Sequence, residues 1–275
     1  MDLKKETEFL LKQNGLKANK KLGQNFLINE EIINEIVDKA CVSNEDTVIE
    51  IGPGLGSLTA KLLEKAKKVI AIELDDHLAS FLEKRFSLYK NFELIQNDVL
   101  KVDLKQITSQ TDHVKVVANL PYYITTPIVM KLLEDKLPLE SITVMVQKEV
   151  GERFCATPNG KEYGAITISI LYYTIPQIVI DVPKDNFNPV PEVDSVVVKL
   201  DIRKEPPVLL NDEKAFFRLI KAGFSQRRKT ISNSFMSVGK TKEEIKDILD
   251  KLKLKENLRA ENLSIEDFAN IANLL

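Results

Sequence analysis

The chain has 275 residues, enough for one large or two ordinary domains. Its 44% apolar and 29% charged residues suit a soluble globular protein, and no apolar run reaches transmembrane length. A formal net charge of −2 argues mildly against a nucleic-acid enzyme, although the distribution of that charge argues the other way. Met1-Asp2-Leu3-Lys4-Lys5-Glu6 has no apolar signal core, so we expect a cytoplasmic protein. Cys41 and Cys155 stand alone, as do His77 and His113. We expect buried reduced thiols, no disulfide, no metal and no membrane contact.

In chain order, residues 1–29 lean basic through Lys4, Lys5, Lys12, Lys17, Lys20 and Lys21. Residues 20–27 (Lys-Lys-Leu-Gly-Gln-Asn-Phe-Leu) read as an arm able to close over a ligand, or as a flexible leader. A helix is expected near 30–41. A short β-branched strand near 47–52 then runs into Gly-Pro-Gly-Leu-Gly, and an apolar-periodic helix follows at 57–66. Gly52, Gly54 and Gly56 let a backbone approach a ligand closely, though a tight strand–helix turn would also use them. A second strand, near 68–73, ends in Glu73. Its carboxylate lies where it would accept from ribose hydroxyls. Ser57 stands where a pyrophosphate fingerprint carries its last glycine or alanine. That departure weakens a dinucleotide reading and suits a phosphate-free ligand such as S-adenosyl-L-methionine.

A helix near 75–89 precedes a strand at 92–96 that ends in Asn97-Asp98-Val99. Asp98 would accept from an adenine amino group, with the Val99 backbone on a ring nitrogen; an Asx turn closing the strand is the alternative. The strand near 114–119 stops at Asn119-Leu120-Pro121-Tyr122, because Pro121 cannot donate and biases Leu120 away from helix. The Asn119 amide and Leu120 carbonyl can accept an exocyclic amine, and the Tyr122 ring can stack on its base. The same tetrapeptide also describes a strand-ending turn with a buried tyrosine.

Helices near 125–136 and 147–154 alternate with strands near 141–147, 165–174 and 193–202. The last two strands are joined by a hairpin-like return. In that return, prolines 189 and 191 stiffen a loop that presents Phe187. It would form a second aromatic face toward Tyr122 or a satellite of the core. The alternation predicts an α/β fold: a Rossmann-like, mostly parallel sheet with one antiparallel strand. Glu205-Pro206-Pro207 reads as a linker, placing one domain at 1–204 and a small all-α domain at 205–275. Helices are expected there at 212–223, 227–236, 241–253 and 264–273. Residues 214–242 carry eight basic side chains and no acid, among them Lys221, Arg227, Arg228 and Lys229. That run reads as a phosphate-binding patch or as ordinary solvated helix faces.

Seven motifs occur together in order: Lys-Leu-Gly-Gln-Asn-Phe-Leu at 21–27, Glu-Ile-Gly-Pro-Gly at 50–54, Ile-Glu-Leu-Asp at 72–75, Asn-Asp at 97–98, Asn-Leu-Pro-Tyr-Tyr-Ile at 119–124, Pro-x-Val-Asp-Ser at 191–195 and Phe-Ser-Gln-Arg-Arg-Lys-Thr at 224–230. In these the chain resembles the ribosomal RNA adenine dimethyltransferases, specifically their bacterial small-subunit (16S) branch. The resemblance implies S-adenosyl-L-methionine contacts at Asn25, Leu27, Gly52, Glu73, Asp98 and Asn119. It also implies Tyr122 and Phe187 around the target adenine, and as partner the 16S rRNA of the small subunit or its precursor. The products would be two adjacent dimethyladenines in a hairpin near the 3′ end, made by a monomeric enzyme. The competing readings are a 23S rRNA adenine methyltransferase, a DNA adenine methyltransferase and a non-catalytic rRNA-binding assembly factor.

Overall fold

The computed structural model describes residues 2–19, 22–226 and 228–275. Contacts group them into two units. The first runs to Gly151 and includes Gln177–Ile202; the second comprises Glu152–Pro176 and Arg203–Leu275.

In the first unit the sheet strands are β1 (Thr47–Ile51), β2 (Lys68–Glu73), β3 (Phe92–Gln96), β4 (Val114–Asn119), β5 (Leu139–Gln147), β6 (Thr174–Val182, of which the part from Gln177 belongs to this unit) and β7 (Ser195–Ile202). They lie in the order β3-β2-β1-β4-β5-β7-β6, with β7 antiparallel to β5. The pairs β1–β2, β2–β3, β1–β4 and β4–β5 are parallel. Every residue of β1 is buried, as expected for a parallel strand covered on both faces. The chain turns from one half of the sheet to the other between β1 and β4. Open α/β sheets bind ligands at that crevice, beyond the carboxyl ends of the strands.

The helices of this unit are α1 (Leu3–Gln13), α2 (Glu30–Lys39), α3 (Ser57–Lys65), α4 (Asp76–Arg85), α5 (Leu104–Thr108), α6 (Thr125–Glu134) and the start of α7 (Lys148–Phe154). Asn29 caps α2 by accepting from the Glu31 and Ile32 N–H groups, and Asp75 caps α4 likewise. The sequence did not signal α1 or α5. Arg85 ties α1 to the glycine turn, donating to Glu6 Oε1 (2.9 Å) and the Leu55 carbonyl (3.0 Å).

In the second unit the residues expected as a strand at 165–174 form α8 (Ala165–Tyr173). Ile166, Ile168 and Ile170 alternate with Thr167 and Ser169, which mimics strand periodicity. Thr167, Ile168, Ser169, Ile170 and Tyr172 are nevertheless all buried, spread around the helix. The polar members are satisfied: Ser169 Oγ donates within the helix to the Ala165 carbonyl, and Thr167 Oγ1 reaches the Arg153 carbonyl of α7 at 2.7 Å. Segment 152–176 was expected within the first domain. It joins the helical unit because Tyr163 Oη donates to the buried Leu263 carbonyl (2.8 Å) and Tyr172 packs on Phe216 and Phe217.

The remaining helices are α9 (Glu213–Phe224), α10 (Ile231–Ser234), α11 (Lys242–Lys251) and α12 (Ile265–Leu274). The helix expected from 227 begins only at Ile231, and Arg227 lies outside the described residues. Cys41, expected to be buried, is exposed on a positive-φ turn, and Cys155 is half-buried. No described helix is long and apolar enough to cross a membrane.

Candidate active site

A cavity opens at the carboxyl ends of β1, β2 and β4. It is lined by the arm (residues 22–27), the glycine turn, Glu73, Asn97-Asp98-Val99 and residues 119–124. Each wall follows from local sequence. At the glycine turn Gly54 has φ +60° and a Cβ there would sit 3.2 Å from the Phe26 ring, so the turn leaves room for the arm. Gly56 (φ +82°) answers to the core, since its Cβ would lie 2.6 Å from Phe86. The third glycine of this turn therefore serves packing against α4.

Glu73 is 5% exposed. Its carboxylate accepts from the N–H groups of Leu74 and Asp75 (2.9 Å each) and Gly54 (3.3 Å). Burial raises its pKa against the lowering effect of those three bonds. Asp98 Oδ1 accepts from the Leu100 N–H at 3.0 Å, so the Asx turn and the cavity position coexist in one residue. Val99 is buried beside it.

The arm bears directly on the Asn119 amide. Asn119 Nδ2 donates to the Asn25 carbonyl at 3.2 Å. With its nitrogen committed there, Oδ1 is the acceptor left for another ligand. Gln24 holds the arm down through Asp75 (3.3 Å) and the Asn19 N–H (2.8 Å). Leu120 donates its N–H to the Met145 carbonyl (3.2 Å), seating the strand end beside β5. Tyr122 is half-buried, and its hydroxyl lies 2.7 Å from Ser195 Oγ. Tyr123 stands 57% exposed at the same cavity.

Glu50 also lines the cavity, and it was not singled out from the sequence as a site residue. It is 1% exposed, and neither its Oε2 nor the Thr59 hydroxyl has a partner of hydrogen-bonding geometry among the described residues. Burial, opposed by Thr59 and assisted by the charge on Glu73, pushes its carboxyl up to about 8. The available signal was an acid in the middle of a β-branched strand, Thr-Val-Ile-Glu-Ile.

One expectation fails here. Phe187 is 1% exposed and does not line the cavity. Together with Asn188 it pairs antiparallel with Phe26-Leu27 in a two-stranded ribbon, and its ring belongs to the main core cluster. An exposed aromatic beside an apolar core gains roughly 1.5–3 kcal/mol by entering it, which is where this ring sits.

The model of the ribosomal RNA adenine dimethylase family matches residues 15–275. The chain belongs to that family. This rRNA adenine dimethyltransferase is 44% identical to the ribosomal RNA small subunit methyltransferase A of Clostridium botulinum (strain Kyoto / Type A2), over 98% of each chain. It is 47% identical to the protein of that name from Bacillus pumilus, over 98% of this chain and 95% of the other. A dimethyladenosine transferase from Plasmodium falciparum superposes with a TM-score of 0.77 at 30% identity, covering 90% of this chain and 95% of that one. The 23S rRNA methyltransferase ErmE superposes at 0.71 with 24% identity, covering 91% and 99%, a likeness that extends to the fold.

The methyl donor of this dimethyltransferase is S-adenosylmethionine. The cavity suits it without a phosphate site. An orphan buried carboxyl oxygen on Glu50 fits a ligand with a cationic donor, and Glu73 and Asp98 supply acceptors at the ends of β2 and β3. The cavity gathers Asn25, Leu27, Gly52, Gly54, Glu73, Asp98, Val99, Asn119, Leu120 and Tyr122. Lys221, Arg228 and Lys229 are exposed in the second unit.

Proposed function

We propose that this dimethyltransferase converts two adjacent adenines, in a hairpin near the 3′ end of 16S rRNA, to N6,N6-dimethyladenine during small-subunit assembly. The supporting observation is identity of 44–47% over 98% of the chain with proteins named for the small ribosomal subunit. We assign Asn25, Leu27, Gly52, Gly54, Glu73, Asp98, Val99 and Asn119 to the cofactor, and Asn119, Leu120 and Tyr122 to the adenine. Phe187 would join the adenine only by leaving its core position. The enzyme would work as a cytoplasmic monomer.

S-adenosylmethionine, when bound, supplies an electrophilic sulfonium methyl. The N6 lone pair of adenine is delocalised into the ring, which makes the amine a poor nucleophile. Asn119 Oδ1 and the Leu120 carbonyl, by accepting the amine hydrogens, favour a more tetrahedral nitrogen and aim its lone pair. Tyr122 offers a face for the base. The target must be unstacked, which costs least in a loop. Positioning of this kind is worth several kcal/mol in well-oriented reactions. No cavity carboxylate is given the role of base. Glu73 is engaged with three N–H groups, Asp98 with the Leu100 N–H, and burial holds the Glu50 carboxyl in its protonated form near neutral pH, so the proton passes to water once the methylated nitrogen has become acidic.

Purified chain is expected to methylate unmodified small subunits and to leave large subunits unlabelled. Mass analysis of the labelled RNA reports the product; label confined to 23S RNA would refute the assignment. Lys221, Arg228 and Lys229 are assigned to rRNA phosphates, setting orientation without reading bases; Arg227, expected beside them, lies outside the described residues. Changing the three described residues to glutamine is expected to flatten the slope of log affinity against log salt by about 2–3. An unchanged slope places the phosphate contacts elsewhere.

A further inference from the structure

We infer that Ser195 is a positioning residue for methyl transfer: it fixes the plane of the Tyr122 ring on which the target base stacks. This rests on the reading of Tyr122 as that platform. Tyr122 opens a single 3-10 turn, Tyr122–Ile124, just after Pro121. Among the described residues the turn is closed only locally, by the Ile124 N–H on the Pro121 carbonyl (3.2 Å) and by Thr125 Oγ1 on the same oxygen (3.1 Å). Nothing in those bonds sets the tilt of the ring. A half-buried aromatic on a turn keeps torsional freedom about its side-chain bonds, and the torsion next to an aromatic ring is broad.

The far end of the ring is held. The phenol oxygen lies 2.7 Å from Ser195 Oγ. Ser195 is 1% exposed and begins β7, opposite Gln147 in the antiparallel register with β5. The residue before it is also pinned: the Asp194 carbonyl accepts from the Lys148 N–H, and its carboxylate from the Lys184 N–H, each at 3.0 Å. The anchor therefore belongs to the sheet, while the platform belongs to a turn. A bond at the ring's outer atom, with Cα fixed at the other end, leaves the ring little room to tilt. Stacking itself needs only the π-face, which phenylalanine would supply equally well. The hydroxyl is thus explained by its anchor: burial raises its pKa, so it stays a neutral group able to donate or accept. Small errors in base placement can cost up to about 100-fold in rate.

The test is a double-mutant cycle in the full chain, with undermethylated small subunits as substrate, single-turnover rates at saturating RNA, and S-adenosylhomocysteine affinity by calorimetry. Ser195→Ala and Tyr122→Phe each remove one end of the same bond. Each is expected to slow transfer about tenfold with unchanged S-adenosylhomocysteine affinity, and the double variant is expected to be no slower than either. Multiplied losses in the double variant, wild-type rates in the singles, or a fall in S-adenosylhomocysteine affinity that matches the rate loss would each overturn the inference. Tyr122→Phe leaves β7 untouched, so it reads the bond even if Ser195→Ala folds poorly. Tyr122→Ala separates the two levels. If it runs at wild-type rate the platform reading fails, whereas a large loss there beside an intact Tyr122→Phe rejects only the role of Ser195.

Discussion

Asn119→Ala is expected to lower the single-turnover rate of methyl transfer by about 100- to 1,000-fold while rRNA affinity stays within about twofold. That range is what removal of one preorganised polar group costs where charge develops in a transition state. The physical basis is the direction of the amide. Its nitrogen is committed to the Asn25 carbonyl, so its oxygen is oriented before any base arrives. Alanine loses the acceptor and also leaves the Asn25 carbonyl without this donor. Asn119→Asp sharpens the test, because it keeps an acceptor but sets a carboxylate oxygen against the Asn25 carbonyl, with no N–H between them. The aspartate variant is therefore expected to be nearly as slow as alanine. An aspartate enzyme at wild-type rate would show that the arm does not orient residue 119, and an alanine enzyme at wild-type rate would remove the amide from the mechanism altogether.

The second large effect is on stability. Glu50 has a folded-state pKa of about 8, raised from 4.5 mainly by burial. Below its unfolded pKa the carboxyl is neutral in both states and costs nothing extra. As pH climbs from 4.5 to about 8 the unfolded chain releases this proton and the folded chain keeps it, so stability falls across that window. Glu73, also raised by burial, contributes with the same sign. The ligand-free chain should therefore unfold at lower temperature at pH 8.5 than at pH 5. Glu50→Gln removes the Glu50 share, on the order of a few kcal/mol, at a pH-independent cost of about 1 kcal/mol for imperfect amide pairing. The two melting-temperature profiles should cross, with the glutamine variant higher at alkaline pH by several degrees. Parallel profiles from pH 5 to 9 would mean that Glu50 is ionised in the folded chain.

Much of the architecture could be read from the chain because the signals were local. A β-branched strand entering a glycine turn, Pro121 ending β4 and Ser/Thr/Asp/Asn caps all act within a few residues of themselves. The segment at 165–174 misled because its period-2 alternation is also compatible with a helix buried on every side, and only its neighbours decide between them. α5 spans only five residues, and α1, though eleven residues long, buries only Thr7 fully and is held in place by Arg85 from a distant helix.

The amino-acid order alone determined that strand ends would carry Glu73, Asp98 and Asn119 to one edge of a parallel sheet, because strand direction and chain reversal follow from local propensity and spacing. Three matters were settled only by packing in three dimensions: that Phe187 enters the core in place of facing Tyr122, that the Asn25 carbonyl turns the Asn119 amide, and that Ser195 holds the Tyr122 phenol. Each depends on residues 73 to 162 positions apart meeting through the sheet and its ribbon, and no periodicity within a window of a dozen residues encodes such a meeting.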